Sequence, residues 1–427
     1  MQSRILLRSA VAAVALIGGA LPDRAAGPGG TPTAASLLPA RARTGDDGNF
    51  WDELQRAEAG YSWHKIAIQP SLTYRAYYTD NLFNYQNRAS QQDFIHNISP
   101  QLLLAREFYP GVWEMALSVG YTPTFIVHSF YGENDRTYHL ARIHLDGRRD
   151  EQSLSVDHTY NRSSELSSEV GFLLPQESQS TLLSYSQPLS GKLSLSASAF
   201  QRLMDTAVSA FASTRSMKSW GGDGFVLYDW LPKTTTGIGL GASYEEQGGA
   251  TGDYQLLYER LMTRWHYLAT GKLDVSLDVG VQIGQGLSLG GRDLSPTPIL
   301  QAGAQYNPRY GTSFSLLAAR STGFSTVQSG RSQTENRLTL GARQRVYQSM
   351  TASITASYGQ GASDTALSGV VAPSLSYDNY TVGFQYDWEI NTRLRLSGFY
   401  QYMRRESDAA RETYSNNQVG FIVNVAL

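Results

Sequence analysis

Between Lys272 and Ile283 the chain alternates without a break: Leu273, Val275, Leu277, Val279, Val281 and Ile283 fall on one parity, and Asp274, Ser276, Asp278, Gly280 and Gln282 on the other. Successive side chains of an extended strand point to opposite faces, so this stretch reads as a wall with one apolar and one wet side. Carboxylates face lipid only at high cost, which points Asp274 and Asp278 into a lumen. Asn379 to Trp388 repeats the pattern, with Tyr380, Val382, Phe384, Tyr386 and Trp388 against Thr381, Gly383, Gln385 and Asp387. Trp113 to Val127 repeats it again, with Glu114 on the wet side. The chain ends on the same motif, Val419, Phe421, Val423, Val425 and Leu427 opposing Gln418, Gly420 and Asn424. An apolar C-terminal residue suits the signal read by the barrel assembly machinery, with Leu427 where an aromatic is usual. Any one of these segments could be the edge strand of a soluble sandwich; the whole series has to decide.

The N-terminus carries Arg4 and Arg8, an apolar run from Ala10 to Leu21 and small residues at Gly18, Gly19 and Ala20. That is the pattern of a secretory signal peptide, assigned to residues 1–26, with cleavage after Ala20 or near Ala25 and Ala26. The run is too short for a spanning helix, and nothing later approaches the roughly twenty apolar residues that one needs. Membrane insertion must therefore use strands. Residues 27–60 form a leader rich in turn-formers, with a short helix expected over Phe50 to Gly60, and residues 61–427 form the barrel. The chain has no cysteine, which excludes disulfides, thiolate metal sites and Cys nucleophiles. A formal net charge of −2 gives no electrostatic case for nucleic acid. The 26 Tyr, 15 Phe and 7 Trp beside 40 Gly fit a wall whose aromatics crowd two membrane interfaces.

Turn lengths set the topology. Short turns near Tyr109-Pro110-Gly111, Gly147-Arg148-Arg149, Leu189-Ser190-Gly191, Leu231-Pro232-Lys233, Ala269-Thr270-Gly271, Asn307-Pro308-Arg309, Tyr347-Gln348-Ser349 and Ile390-Asn391-Thr392 alternate with longer connections, among them Arg162 to Ser178, Met204 to Ser219, Ser321 to Gln333 and Gln360 to Ser376. Trp113, Trp230, Trp265, Tyr306 and Trp388 lie beside the short turns, as in a barrel with short periplasmic turns and long outer loops. The expected fold is an all-β transmembrane antiparallel barrel of about 18 strands, or 16 if the weak segments near Gln179 and Trp220 are loop.

Candidate reactive clusters fail on strand parity. Asp157 and His158 are neighbours and face opposite sides, as do His139 and His144. Asp47 to Glu58 has the ends of a calcium loop, but Trp51 and Asp52 occupy positions that such a loop cannot give them. No catalytic, cofactor or metal site is expected. Gly237, Gly239 and Gly241 make one bare strand face, which either admits an inward segment or reflects small lumen packing. Arg337, Arg343 and Arg345 share a face, as do Arg393 and Arg395. With Asp274, Asp278, Asp387 and Glu114 these are the candidate lumen-lining residues. The arginines could form a ladder of donors or pair with Asp387, Asp278, Glu259 or Glu114. Tyr74, Tyr77 and Tyr78 suit sugar stacking or an interfacial girdle.

The stretch Leu72 to Phe83, with its Tyr78-Thr79-Asp80-Asn81-Leu82-Phe83 run, followed by Asp93-Phe94-Ile95 and Ile98-Ser99-Pro100-Gln101-Leu102, resembles the opening hairpin of a family of outer-membrane β-barrel porins. Members are often associated with exopolysaccharide production and secretion. The resemblance implies a channel in the bacterial outer membrane that exports a hydrophilic polymer handed over by a periplasmic export apparatus. A general diffusion porin for small hydrophilic solutes is the alternative, and a surface enzyme or structural protein a remoter rival. The lumen would need narrowing, and Met204 to Ser219 and Gln360 to Ser376 are the segments expected to fold inward.

Overall fold

The computed structural model describes residues 61–427 apart from residues 64–65, 83, 85–90, 167–172, 209–212, 249–252, 288–293, 326–330, 367–375 and 409–412. The signal peptide, the leader and its helix, and Phe211, Val370 and Val371 of the two expected inward segments lie outside the described residues.

A three-residue piece, β1 (Tyr61–Trp63), pairs with the start of β2 (Ile66–Thr79). The wall then runs through β3 (Asp93–Phe108), β4 (Glu114–His128), β5 (Arg136–Arg149), β6 (Gln152–Leu166), β7 (Leu173–Pro188), β8 (Leu193–Val208), β9 (Ser213–Leu231), β10 (Thr234–Gly248), β11 (Tyr254–Thr270), β12 (Leu273–Gly286), β13 (Leu294–Arg309), β14 (Thr312–Phe324), β15 (Arg331–Tyr347), β16 (Met350–Ala366), β17 (Ser376–Glu389), β18 (Leu394–Ser407) and β19 (Tyr414–Ala426). Each pairs antiparallel with the next, and β19 returns to β2 from Gln418 opposite Thr79 to Ala426 opposite Ser71. The result is a closed antiparallel barrel of eighteen strands, β2 to β19. Closure leaves no edge, which is the condition for strands to lie in lipid.

The parity read from the sequence holds around the wall. Val279, Val281 and Ile283 on β12, Val382 and Phe384 on β17, and Val419 and Phe421 on β19 are exposed on the outer face. Asp278, Gln282, Gln385, Asp387 and Gln418 are buried on the inner face. Trp230, Trp265, Tyr306 and Trp388 are exposed beside the short turns. The segments near Gln179 and Trp220 belong to β7 and β9, so the fallback of 16 strands is set aside. Strands also run further toward the loop end than the turn-formers suggest: β9 has 19 residues, and residues 213–219, read as connection, are strand. Residues 213–219 pair with β8 throughout and with β10 from Ser216 on, because the ladder is made of backbone hydrogen bonds that polar composition does not prevent.

The Thr79-Asp80-Asn81 run that carries the family resemblance lies at the seam. Asp80 accepts from the Asn417 backbone N–H at 2.7 Å and from its side-chain amide at 2.6 Å. The Thr79 hydroxyl donates to Asn416 Oδ1 at 2.9 Å, and the Asn81 amide donates to the Ser415 carbonyl at 2.9 Å. Asn416 Nδ2 donates in turn to the Asn81 carbonyl and to Asn84 Oδ1, each at 2.8 Å. Asn84 takes the left-handed backbone conformation that Asn tolerates, φ 54°. The motif fastens the first barrel strand to the last. Replacing Asp80 with Ala strips two charge-assisted hydrogen bonds from the seam, a loss of about 2 to 4 kcal/mol. D80A is expected to convert from the folded to the unfolded gel band at a lower temperature than the native protein; an unchanged conversion temperature would contradict the seam assignment.

Candidate functional site: the lumen wall

The inner face of β9 to β12 is filled. Along β10 the odd positions Gly237, Gly239 and Gly241 carry no side chain, and the space goes to neighbours on β9: the Phe225 ring lies over Gly239, Leu227 over Gly237 and Asp223 over Gly241. A Cβ on Gly239 would sit 2.4 Å from that ring. The bare glycine face is thus lumen packing. Phe225 joins Met262 and Ile299 in an apolar cluster, and the Arg264 guanidinium stacks on its ring at 3.7 Å. Arg264 binds Asp278 with two bonds of 2.9 Å, Arg260 pairs with Asp223 at 3.2 Å, and His266 meets Asp274 at 2.8 Å. Alternation of Arg260, Met262 and Arg264 with Leu261 and Trp265 was a legible signal for these inward arginines.

A segment other than the two expected ones crosses the inner face; of those two, residues 209–212 and 367–375 lie outside the described residues. At the loop end of β14 and β15 the in-and-out alternation breaks down: residues 322–325 and 331–333 are buried on both parities. Phe324, 1 % exposed, packs on Met204 of β8, Met217 of β9, and Leu256 and Tyr258 of β11. The Gln247 side chain donates to the Ser325 carbonyl, Gln282 donates to the Thr322 carbonyl at 3.2 Å, and the Phe324 N–H donates to Glu245 Oε2 at 3.4 Å. The end of β14 therefore bends across to β8–β12, several strands away. Met204 and Met217 do face inward, but as part of the wall that receives Phe324.

On the other side, Arg75 of β2 lies between the rings of Tyr77 and Phe399, at 4.7 and 4.3 Å. Arg405, 1 % exposed, stacks on Tyr377 at 4.1 Å, and the Tyr377 hydroxyl accepts from Gln333. On β5 and β6, Asp157 accepts from Arg142 at 2.9 and 2.6 Å and meets His144 at 3.1 Å, while His144 lies 3.4 Å from Asp146. Parity separates His139 from His144 but joins His144 to Asp157, a cross-strand pair that single-strand spacing could not reveal.

The candidate lining residues are placed as follows. Asp274 and Asp278 line the inner face with the partners just described. Asp387 is buried there and accepts from Ser397 at 2.6 Å and Gln385 at 2.8 Å. Arg337 binds Glu335 at 2.8 Å and Arg395 binds Glu389 at 2.6 Å, so both pair with near neighbours rather than across the lumen. Arg343 has inner parity, and Arg345 reaches the short-turn rim, where it donates to Tyr310 at 2.7 Å. Glu114 opens β4 at that same rim. Arg393 is no wall residue: it lies in the turn between β17 and β18, its N–H donating to Asn391. Glu259 is exposed on the outer parity of β11 and cannot serve as a lumen partner. Tyr74 packs against Phe421 on the outer face and Tyr78 shares its parity; Tyr77 alone of the three points in.

A sheet closed on itself, apolar outside and polar within, is an outer-membrane β-barrel. No family model and no curated protein matches the chain. Among solved structures it is similar to OpdQ of Pseudomonas aeruginosa at 14% identity, over 84% of this chain and 98% of that one, with a TM-score of 0.45. It is similar to OccAB3 of Acinetobacter baumannii at 11% identity, over 84% and 99%, with a TM-score of 0.44. OpdK of P. aeruginosa, solved with vanillate, gives 13% identity over 84% and 98%, with a TM-score of 0.43. At these scores the likeness is one of general shape, and the functional reading rests on the lumen itself.

Truncating Phe324 to Ala is expected to widen the lumen while leaving the eighteen-strand ladder intact, since the side chain contacts the wall from inside. Single-channel conductance in KCl should rise with the folded gel band retained; conductance equal to that of the native protein would show that Phe324 does not constrict.

Proposed function

We propose that the chain is an outer-membrane channel through which small hydrophilic solutes diffuse. The observation that carries this reading is the inner wall: rich in polar and charged side chains, crossed by a strand end held on hydrogen bonds, and lined by ion pairs that close on themselves. Gln247 and Gln282 bind main-chain carbonyls of the crossing segment, so the narrowing belongs to the resting fold. A bore that is wet and fixed in width sorts solutes by size and hydrogen bonding. Arg260, Arg264, Arg337 and Arg395 each have a carboxylate within 3.2 Å, which supports local neutralisation over a ladder for anions.

Export of a polymer, the second reading, is favoured by the resemblance of Leu72 to Phe83 to exopolysaccharide-associated porins. The described part of that motif binds β2 to β19, a role in closing the wall that any cargo would allow. The barrel assembly machinery and a periplasmic export apparatus remain proposed partners of the respective readings.

Purified protein in planar bilayers separates the two. Steady open conductance, indifferent to added polysaccharide, is expected for diffusion; a closed channel that opens only on removal of the crossing segment would favour gated export. The charge pairs give a second check. Asp278→Asn leaves the Arg264 guanidinium without its carboxylate, so the reversal potential in a KCl gradient should move toward chloride; no movement would place this pair outside the conducting path.

A further inference from the structure

The outer face carries Leu, Val and Ile along β12 and Tyr, Val and Phe along β17, but it sinks between β13 and β16 near the short turns. Register lays Ala342 between Phe314 and Ile354 in one rung and Ala304 beside Leu316 in the next. With Ala356 these alanines open an apolar hollow of about 440 Å³ on the lipid side of the wall. Tyr306 and Phe314, their rings stacked at 6.4 Å, wall its short-turn end. A hollow in a wall forfeits contacts unless something fills it.

Two arginines flank the turn between β13 and β14, below this hollow. Arg309 donates to the Thr312 hydroxyl at 3.1 Å. Arg345 donates to Tyr310 at 2.7 Å, lies over its ring at 5.0 Å, and gives its backbone N–H to the Gly311 carbonyl. Both arginines are exposed, and neither forms an ion pair among the described residues. The neighbouring carboxylates of this rim are already held, Glu389 by Arg395 and Asp387 by Ser397 and Gln385.

We infer that the hollow seats one anionic glycerophospholipid of the leaflet at the short-turn end, an acyl chain against the alanines and the phosphate on Arg309 and Arg345. Arg345 follows Ala342 by three residues on β15, so in a tilted strand it lies roughly 8 Å nearer the rim, as a headgroup lies beyond its first methylenes. A guanidinium is weakly hydrated and offers phosphate oxygens parallel N–H donors. The Tyr310 hydroxyl accepts from Arg345 and keeps its own proton to donate. A choline headgroup would set its ammonium against the two arginines, whereas a glycerol headgroup leaves the phosphate charge uncompensated for them. The same charges disfavour a second copy as the occupant: a two-fold axis along the membrane normal, joining hollow to hollow, would gather four guanidiniums at one rim. The site lies on the outer face and stands whichever solute crosses the lumen.

The full chain, stripped of lipid in detergent, is titrated with dioleoyl phosphatidylglycerol or dioleoyl phosphatidylcholine and weighed by native mass spectrometry. One phosphatidylglycerol should stay on each barrel, held about tenfold more tightly than phosphatidylcholine, the scale of one hydrogen bond to a charged group. Arg309→Gln with Arg345→Gln should erase that preference. Ala342→Leu with Ala356→Leu fills the hollow and should release both lipids. Val382→Phe, on the outer face of β17, is the comparison variant and should bind as the native protein does. Retention of the folded gel band in each variant establishes that the barrel is intact. Equal retention of the two lipids by the native protein, an unchanged preference after loss of both arginines, or native binding by the filled variant would each overturn the site. So would a lipid-free dimer that the filled variant abolishes, or displacement of phosphatidylglycerol by an equal concentration of inorganic phosphate.

Discussion

Lipid offers no hydrogen bonds, and every feature of this barrel follows from the need to satisfy its backbone without water. A sheet meets that need only when its first and last strands find each other, so the pairing of β2 with β19 is the contact on which the other seventeen ladders depend. The chain places a polar network there. Thr79, Asp80 and Asn81 leave β2 as Ser415, Asn416 and Asn417 enter β19, and six hydrogen bonds tie the two ends together. A run that resembles a family signature thus has a mechanical explanation: it stands where a barrel has to be closed.

Once the wall is closed, its inner face has to be packed, and the two flanks are packed with different side chains. The missing side chains of β10 let Phe225 and Asp223 lie flat against the wall, and Arg264 and Arg260 stack and pair on top of them. The end of β14 crosses to this packed side and adds Phe324. Across β6 to β8, serine after serine keeps the wall low.

The architecture was readable because lipid enforces period two: Leu273 to Ile283 and Tyr380 to Trp388 show the alternation in full, and the aromatics beside short turns orient the hairpins. Asp274, Asp278 and Asp387 could be placed inside by the same rule. What could not be read is what depends on strands far apart in sequence. Asn416 and Asn417 read as the start of the last strand, but no spacing sets Asp80 beside them, and His144 looks isolated until register brings Asp157 across. The crossing of Phe324 was hidden for a different reason. It continues the outer parity of β14, so alternation assigns it to lipid, and only the small residues Gly323 and Ser325 around it hint at a bend. The arginines illustrate the limit of parity: it gives the face, but the partners of Arg337 and Arg395 are near neighbours that chain spacing alone does not single out.

The central claim, one apolar face and one wet face around a closed wall, can be measured directly because the chain contains no cysteine. Single cysteines placed in turn at Asp274, Val275, Ser276 and Leu277 of β12, in protein held in native membranes, can be treated with a bulky water-soluble maleimide. The structure predicts labelling at 274 and 276 and protection at 275 and 277. Uniform labelling of all four, or labelling confined to 275 and 277, would contradict it.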